Sequence, residues 1–591
     1  MKNLITALLL VSALTIHSNN LYSNEAESNQ ADEIIVTSSY IDPNLSDLDD
    51  PIHVLSGDDP IFDTTLSLGE SLDNLLGVQS SDFGSAVGHP IIRGLSGSRV
   101  RIMNNGKTLR DVSTVGDDHM NEIDLNDIQQ IEIVRGPSSL LYSSGAVGGI
   151  VNIIDNTIAR QDFDEARLNI GLETQSVNDG EAGSFSFQNN IGGFNISLAY
   201  KDSEFDNYDI PNGAIIHSEK EHHDEDEHHD DEEHHDEDEH HDEDEHHDEE
   251  NLGYLENSDF ESKSQRFGIS KTGDWGYFGF SYKNSESLFG VPFHGDGHEG
   301  HGMHEEDEHH DEDEHHDEDE HHDEDEHHEE DEHEGERIFS NTESDVFDIE
   351  GSLNVNSSWL KNINYFFRSS DYLHTEQHAE EEGHHDEDEH HDEDEHHDED
   401  GHDEHGHAEG PTNFENKAKE LGFVFDLTND IVEQKLSINY VEEEISIIGA
   451  EAFMRPTDNE EFSIGYYLCK EFGLFDLDIG IRYDDISRKG SLAHHEDEHH
   501  DEDEHHDEDE HHEEDEHHEE DEHEEEIEFF NKDYSETSFA VNFSREINDN
   551  LTLSLGLARV ERAPSAVELF MNGSHLVTGR FEVGNTNLES E

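Results

Sequence analysis

The sequence is poor in cysteine, in positive charge and in long apolar stretches. Its one cysteine, Cys469, excludes a disulfide framework and a metal cluster held by several thiolates. Only 31 lysine and arginine residues stand against 154 aspartate and glutamate residues, so we expect a polyanion that concentrates cations and does not bind nucleic acid. No apolar run has the length that a membrane-spanning helix requires.

The formal net charge of −123 belongs largely to four low-complexity segments, near residues 217–251, 294–336, 376–410 and 493–527. They consist almost entirely of histidine, aspartate and glutamate, in a six-residue repeat typified by HHDEDE. A spacing of six does not return to one face of a helix. With almost nothing apolar to bury, the segments cannot offset the entropy of ordering, so we predict disordered extracellular loops.

The N-terminus, MKNLITALLLVSALTIHSNNLYSNEAES, has the form of a secretory signal peptide, which we assign to residues 1–23. Lys2 supplies the positive charge, residues 4–16 form a short apolar core, and cleavage is expected near Ser18 or Ser23. The mature chain should therefore leave the cytoplasm and begin with a flexible segment over residues 24–46.

Two kinds of sequence follow that segment. Residues 47–160 predict an α/β domain, with leucines at helix-like spacing between Leu66 and Leu76 and then the strand-like runs HPIIRGL, RVRIMNNG and IQQIEIVRG. From residue 161 onward, apolar and polar residues alternate with period two, as in FDLDIGIRYDDI. This alternation is typical of a transmembrane antiparallel β-barrel. A soluble β-sandwich is the alternative, but the signal peptide and the contrast of long loops with short turns favour the barrel.

The segments IIRGLSGSRVRIMNNG and IEIVRGPSSLLYSSGAVGGIVNII resemble the plug domain of TonB-dependent outer-membrane receptors. The matching plug positions include Arg93, Gly94, Arg99, Glu132, Arg135, Gly136 and Pro137. Ser143 stands where the family usually has glycine. The resemblance implies an N-terminal α/β plug in the lumen of a barrel with about 22 strands when complete, and no catalytic chemistry. We expect Arg93 and Arg135, together with Glu132, to form ion pairs between plug and barrel.

The segment DEIIVTSS, residues 32–39, resembles the TonB box of the same family. Its matching residues are Glu33, Ile34, Ile35, Val36 and Thr37. A β-prone segment ahead of the plug can add as a strand to a periplasmic partner, although an ordinary first strand is the alternative. The resemblance implies TonB, with its inner-membrane energising complex, as partner, and the lipid of a Gram-negative outer membrane as surroundings.

Within the family, the sequence resembles zinc-uptake receptors of the ZnuD type. The resemblance implies that Asp118 and His119, from the plug segment GDDHMNEID, bind metal together with His575 of the barrel. Asp117 is the alternative to Asp118, and Glu409 is a weaker fourth ligand from a loosely aligned region. Imidazole and carboxylate without thiolate suit Zn²⁺, and Ni²⁺ or Cu²⁺ less distinctively. Movement of the plug would separate its ligands from the barrel and release the metal.

The low-complexity segments are expected to capture divalent metal ions for that site through interchangeable histidines. Representative positions are His222, His223, His294, His298, His374, His384, His385, His499 and His500. Neutral imidazole is the ligand form, so capture should weaken as pH falls through the histidine range. A charged loop without a metal role is the alternative.

We therefore expect a TonB-dependent importer whose transported substrate is zinc and which has no catalytic cofactor. Haem, a siderophore or nickel are alternative cargoes, and a surface protein that sequesters metal or contacts a host is the alternative of another class. The family continues beyond the segment at which this sequence stops, so we expect a fragment of a longer protein or a truncated reading frame.

Overall fold

The computed structural model describes residues 53–57, 66–211, 214, 253–292, 338–355, 357–378, 410–449, 452–494, 526–548, 551–575 and 580–591. Outside these residues lie the predicted signal peptide, the TonB box residues, Glu409 and eight of the nine loop histidines, His374 being the exception. No helix in the described part of the chain is long and apolar enough to cross a membrane.

The N-terminal unit is the predicted plug, built on a mixed five-stranded sheet with strand order β1-β6-β7-β4-β5. Beside this plug sheet lie one short helix and a separate hairpin of β2 and β3. Its elements are β1 (His53–Ser56), α1 (Leu68–Leu72), β2 (Val78–Phe83), β3 (Val87–Ile92), β4 (Val100–Asn104), β5 (Lys107–Thr108), β6 (Ile128–Val134) and β7 (Gly149–Asp155). The α/β prediction is confirmed, and the core consists of apolar residues from the helix and the strands.

Two local features of the plug follow from its sequence. Ser67 begins α1 because its side chain accepts a hydrogen bond from the backbone N–H of Glu70. The predicted turn between β4 and β5 forms at Asn105 and Gly106, whose φ angles are 53° and 76°. Both values are positive, as asparagine and glycine tolerate in a two-residue hairpin turn.

The larger unit is an antiparallel sheet in which thirteen strands of the described chain pair in sequence order, with β8 and β20 at its edges. The strands of this barrel sheet are β8 (Arg167–Gln175), β9 (Gly180–Ile191), β10 (Phe194–Phe205), β11 (Phe260–Gly273), β12 (Gly276–Gly290), β13 (Ile338–Asn354), β14 (Asn362–His378), β15 (Thr412–Asp426), β16 (Glu433–Gly449), β17 (Thr457–Glu471), β18 (Asp476–His494), β19 (Glu526–Asn548) and β20 (Leu551–Arg559).

The two faces of the barrel sheet have opposite character. On β18, Ile481 and Tyr483 are exposed while the alternate residues Arg482 and Asp484 are buried. Polar side chains turned inward and apolar ones turned outward are the arrangement expected of a barrel in lipid, and the reverse of a soluble sandwich. The prediction of a β-barrel around a plug is confirmed.

The four low-complexity segments all attach at one rim of the barrel sheet. They follow β10, β12, β14 and β18, and because consecutive strands are antiparallel, every connection from an even- to an odd-numbered strand lies at the same rim. We call it the loop rim. The strands extend slightly into the predicted loops: β14 continues to His378, β18 reaches His494 and β19 already begins at Glu526.

The last part of the chain forms helix α2 (Ala566–Phe570) and a hairpin of β21 (Asn572–His575) and β22 (Arg580–Val583). A capping box of Ser565 and Glu568 begins α2. Leu569 and Phe570 are fully buried in a cluster that includes Val112 of the plug. This packing brings the hairpin onto the plug.

Ion pairs join plug and barrel, but not the expected ones. Lys107 of the plug pairs with Asp348 at 3.3 Å and Glu350 at 3.0 Å, and Arg110 pairs with Glu443 at 3.2 Å. The prediction for Glu132, Arg93 and Arg135 is wrong. Glu132 lies on β6 inside the plug sheet and accepts hydrogen bonds from Gln130 and Asn152. Arg93 is exposed in the turn with Gly94, and Arg135 has no ion-pair partner among the described residues.

Candidate metal centre

Four buried side chains from three parts of the fold meet at one point. Asp118 and His119 lie in the plug segment between β5 and β6, Glu376 lies near the end of β14, and His575 ends β21. One nitrogen or oxygen atom from each lies within 4.8 Å of all the others. Their exposed fractions are 2%, 0%, 5% and 1%. We call this set the four-ligand cluster.

The backbone fixes the orientation of His119. Its Nδ1 donates a hydrogen bond to the carbonyl oxygen of Val112 at 3.1 Å, and its Nε2 lies 2.8 Å from Oε1 of Glu376. Histidine ligands of metals commonly have one ring nitrogen held in this way by a backbone carbonyl, which directs the other nitrogen to the metal. Nε2 is therefore the ligand atom that His119 presents to the cluster.

Asp118 and His575 face each other at a distance longer than an ordinary hydrogen bond. Oδ2 of Asp118 lies 3.4 Å from Nε2 of His119 and 3.5 Å from Nε2 of His575. Gly116 makes this approach possible, because a Cβ at that position would overlap Oδ1 of Asp118 and lie 2.6 Å from Cε1 of His575. These distances from Asp118 are too long for a closed hydrogen-bond network. They fit side chains that surround an ion.

The structure distinguishes Asp118 from its sequence neighbour Asp117. The Asp117 side chain is 74% exposed, and its one ion pair within the described part of the chain is with Arg580, at 4.0 Å. Asp118 is the aspartate that points into the cluster.

Glu376 is the second carboxylate of the cluster among the described residues. The predicted weaker ligand, Glu409, lies outside the described residues. A signal for Glu376 was present in the sequence: in YLHTE, His374 and Glu376 are two residues apart on a strand and therefore share a face. The acidic repeat that begins a few residues later hides this signal, because Glu376 cannot be told from the glutamates of the repeat by sequence alone.

His374 belongs to the barrel wall and not to a capture loop, which corrects its sequence assignment. It is fully buried on β14, its Nε2 donates to Oε1 of Glu376 at 3.0 Å, and its Nδ1 lies 3.0 Å from Oγ1 of Thr342. Its ring also meets that of His119 at 4.8 Å in an edge-on arrangement. His374 therefore supports both Glu376 and His119 from outside the four-ligand cluster.

Aromatic rings enclose the cluster. Phe414 lies edge-on to His119 with ring centroids 4.8 Å apart, and Phe453 stacks on His575 at 4.9 Å. Both phenylalanines are buried. An apolar wall lowers the local dielectric and strengthens the attraction between a cation and the two carboxylates.

The charges of the cluster act on one another strongly. Burial lowers the pKa of His119, but the carboxylates of Asp118 and Glu376 outweigh burial, and the net pKa is raised. Burial likewise opposes the charged form of His575, yet Asp118 and Glu582 raise its pKa to about 10. The two carboxylates therefore favour positive charge at the centre of the cluster, which a divalent cation would supply.

Comparison with known protein families gives two matches along the chain. Residues 44–150 match the model described as TonB-dependent Receptor Plug Domain, and residues 322–591 match the model described as TonB dependent receptor-like, beta-barrel. The two matched ranges contain all four members of the cluster.

One curated relative is the vitamin B12 transporter BtuB of Photobacterium profundum, 31% identical over 125 residues. That alignment covers 21% of this chain and 20% of the transporter.

Solved structures share the fold at low identity. The copper transporter OprC has a TM-score of 0.56 at 12% identity, over 88% of this chain and 65% of that chain. The hemophore receptor HasR of Serratia marcescens, solved with its hemophore HasA and heme, has a TM-score of 0.59 at 11% identity. The match covers 91% of this chain and 67% of HasR. The FrpB iron transporter of Neisseria meningitidis has a TM-score of 0.55 at 11% identity, and the match covers 87% of this chain and 66% of FrpB. The chain thus spans about two thirds of the length of these receptors.

Proposed function

This chain belongs to the TonB-dependent receptor family, and we propose that it is an outer-membrane transporter that imports zinc into the periplasm of a Gram-negative bacterium. The observation that carries the proposal is the four-ligand cluster, in which two imidazoles and two carboxylates from plug and barrel converge on one buried point. We infer that the energy for release comes from TonB, through the segment at residues 32–39.

The ligand set favours zinc over the other cargoes. Zinc in proteins takes four nitrogen and oxygen ligands at about 2.0–2.2 Å in tetrahedral geometry, so the ligand atoms stand about 3.4 Å apart. The distances of 3.4 Å and 3.5 Å from Asp118 to the two imidazoles already have this spacing. A haem would need an apolar slot for its ring, whereas here two carboxylates meet the imidazoles within the same few ångströms. Copper and nickel share the ligand preferences and are tested by competition.

The division of the ligands between plug and barrel supports transport rather than storage. Asp118 and His119 belong to the plug, whereas Glu376 lies on a barrel strand and His575 on the hairpin that packs over the plug. A movement of the plug leaves the metal with half of its ligands. The cluster would thus bind tightly at rest and release its ion when the plug moves.

The position of the cluster supports a role for the acidic repeats in supplying it. Glu376 is two residues from the end of β14, at the loop rim where all four low-complexity segments attach. A dense negative charge near an opening raises the local concentration of cations. We propose that the repeats gather zinc at the rim and that the cluster selects it.

Uptake of radioactive zinc by cells that express the protein tests the proposal. Asp118→Asn and Glu376→Gln should each abolish uptake at low zinc, whereas Asp117→Asn, a change of the exposed neighbour, should leave it intact. Uptake should also disappear in cells without TonB. The proposal is wrong if Asp118→Asn transports zinc as the wild type does at equal surface expression, or if haem, copper or nickel is the preferred competitor.

A further inference from the structure

A small cavity lined by both polar and apolar residues lies within the plug, apart from the four-ligand cluster. Its volume is about 40 Å³, and its lining includes His89, Asp111 and Asn121 together with Arg101. His89 comes from β3, and Asp111 and Asn121 lie on either side of the segment that carries Asp118 and His119. The cavity therefore shares a loop with the proposed zinc site.

Two polar atoms at this cavity belong to buried side chains that lack partners. Nε2 of His89 and Oδ1 of Asn121 have no hydrogen-bond partner among the described residues, and the two residues are only 7% and 8% exposed. Leaving a buried polar atom unsatisfied is destabilising, so two such atoms at one cavity call for an explanation. Both atoms carry lone pairs that can bind a cation.

Asp111 places a carboxyl group at the same cavity. Its Oδ1 accepts hydrogen bonds from the backbone N–H of Ser113 at 3.1 Å and from the Ser113 hydroxyl at 2.6 Å. Its Oδ2 accepts from the backbone N–H of Glu122 at 3.0 Å. These bonds hold the carboxylate in place and tie it to the loop of the four-ligand cluster. A carboxylate offers about four lone-pair sites, and these three bonds leave one of them, on Oδ2, for a metal.

The electrostatics of His89 suit a ligand. Burial is the largest effect and lowers its pKa, although the negative charges of Asp111, Asp117 and Asp118 act in the opposite direction. The imidazole is therefore neutral near neutral pH, which is the form that binds metals.

We propose that His89, Asp111 and Asn121 form a second, transient zinc site inside the plug, which receives the ion after it leaves the four-ligand cluster. This proposal rests on the proposed function as a zinc importer and adds an intermediate station to it. The second site offers one imidazole, one carboxylate and one amide oxygen, and Arg101 places a positive charge on the same cavity. It therefore binds zinc more weakly than the four-ligand cluster, as a station from which the ion must depart.

Anomalous X-ray scattering at the zinc edge, from crystals of the whole protein soaked in zinc chloride, tests the site directly. We expect one peak at the four-ligand cluster and a second, of lower occupancy, next to Nε2 of His89. In His89→Gln the second peak should vanish while the first remains, which also shows that the variant is folded. An empty cavity beside an occupied cluster overturns this inference alone, as does a second peak that persists in His89→Gln. An empty cluster would contradict the proposed function itself.

Transport kinetics give an independent test with a matched control. His89→Gln should lower the maximal rate of radioactive zinc uptake by roughly tenfold, with an unchanged zinc concentration at half-maximal rate, because the first site is intact. His53→Gln changes a plug histidine on β1 that does not line the cavity, and should transport at the wild-type rate. Uptake by His89→Gln at the full maximal rate overturns the inference.

Discussion

Nε2 of His119 lies 2.8 Å from Oε1 of Glu376, so a plug side chain and a barrel side chain meet directly inside the four-ligand cluster. Glu376 is held on the barrel side by His374, and His119 is held on the plug side by the Val112 carbonyl. Each half of the cluster is thus preorganised within its own unit. The four side chains meet only when plug and barrel are in register, so under the proposed function the affinity for zinc would depend on the position of the plug.

Gly116 should be essential for zinc binding although it offers no ligand. In Gly116→Ala the new methyl group displaces Asp118 or His575, so we expect zinc affinity to fall by about 10–100-fold, the range seen when the surroundings of metal ligands are disturbed. Competition with a chromophoric chelator measures the affinity, at free zinc low enough to leave the acidic repeats empty. Gly556→Ala is the control, since its Cβ would meet only Oδ1 of Asn542 at an ordinary 3.6 Å. Equal affinities in the two variants would show that the close approach at Gly116 is unimportant.

His374 should act as a positioning residue for Glu376. His374→Ala removes one of the donors to Oε1 and the ring that meets His119, so we expect about tenfold weaker zinc binding. His374→Gln retains an N–H donor and should recover part of the loss. The same chelator competition distinguishes the variants, and a His374→Ala protein with wild-type affinity would remove His374 from the site.

The ion pairs of Lys107 should hold the plug in the barrel. Lys107→Met leaves the buried carboxylates of Asp348 and Glu350 with less compensation, and breaking a buried pair costs about 3–5 kcal/mol. We expect a lower temperature of thermal unfolding and leakage of small solutes through the purified protein in liposomes. Lys489→Met removes an exposed pair with Glu460 and should change neither measurement. If the two variants behave alike, the Lys107 pairs do not anchor the plug.

Glu132 should make the plug more stable in mild acid than in alkali, other groups being equal. Burial raises its pKa from 4.5 to about 6. The folded plug therefore favours the protonated form, and this contribution to stability is complete below pH 4.5 and lost as pH rises through 6. Glu132→Gln, uncharged at every pH, should match the wild type near pH 4 and exceed it by about 2 kcal/mol near pH 8. Hydrogen exchange of the β6 and β7 amides, corrected for intrinsic rates, measures the difference. If Glu132→Gln is more stable than the wild type by the same amount at every pH, the raised pKa of Glu132 is not the cause.

The fold was predictable from the sequence because its signals are local and repeated. Alternation in FDLDIGIRYDDI identifies the strand and its two faces, and the Asn105–Gly106 turn follows from residue chemistry alone. For the site, the family resemblance predicts Asp118, His119 and His575, and the structure brings these three together.

The errors concern contacts that depend on pairing between distant strands. Glu132 was expected to reach the barrel, but the placement of β6 in the plug sheet decides its partners. The sequence gives no sign that Lys107 joins plug and barrel, although its ammonium group pairs with Asp348 and Glu350 of the barrel. His374 was read as a loop residue because the repeat that follows hides where β14 ends. For Glu132 and Lys107 a tertiary neighbour, which leaves no trace in the local pattern, determines the contacts, whereas for His374 the end of a strand does.

The attachment of all four repeats at one rim has a consequence for how their lengths can change. Each segment is anchored at the ends of two neighbouring strands, only about 5 Å apart in the hydrogen-bonding direction. The sequence predicts these segments to be disordered, and doubling a flexible loop costs only about 0.6 kcal/mol of closure entropy. Whole six-residue units can therefore be gained or lost in replication with almost no effect on strand register. Under the proposed function, the number of repeat units would then set the capacity to gather zinc, independently of the residues of the four-ligand cluster.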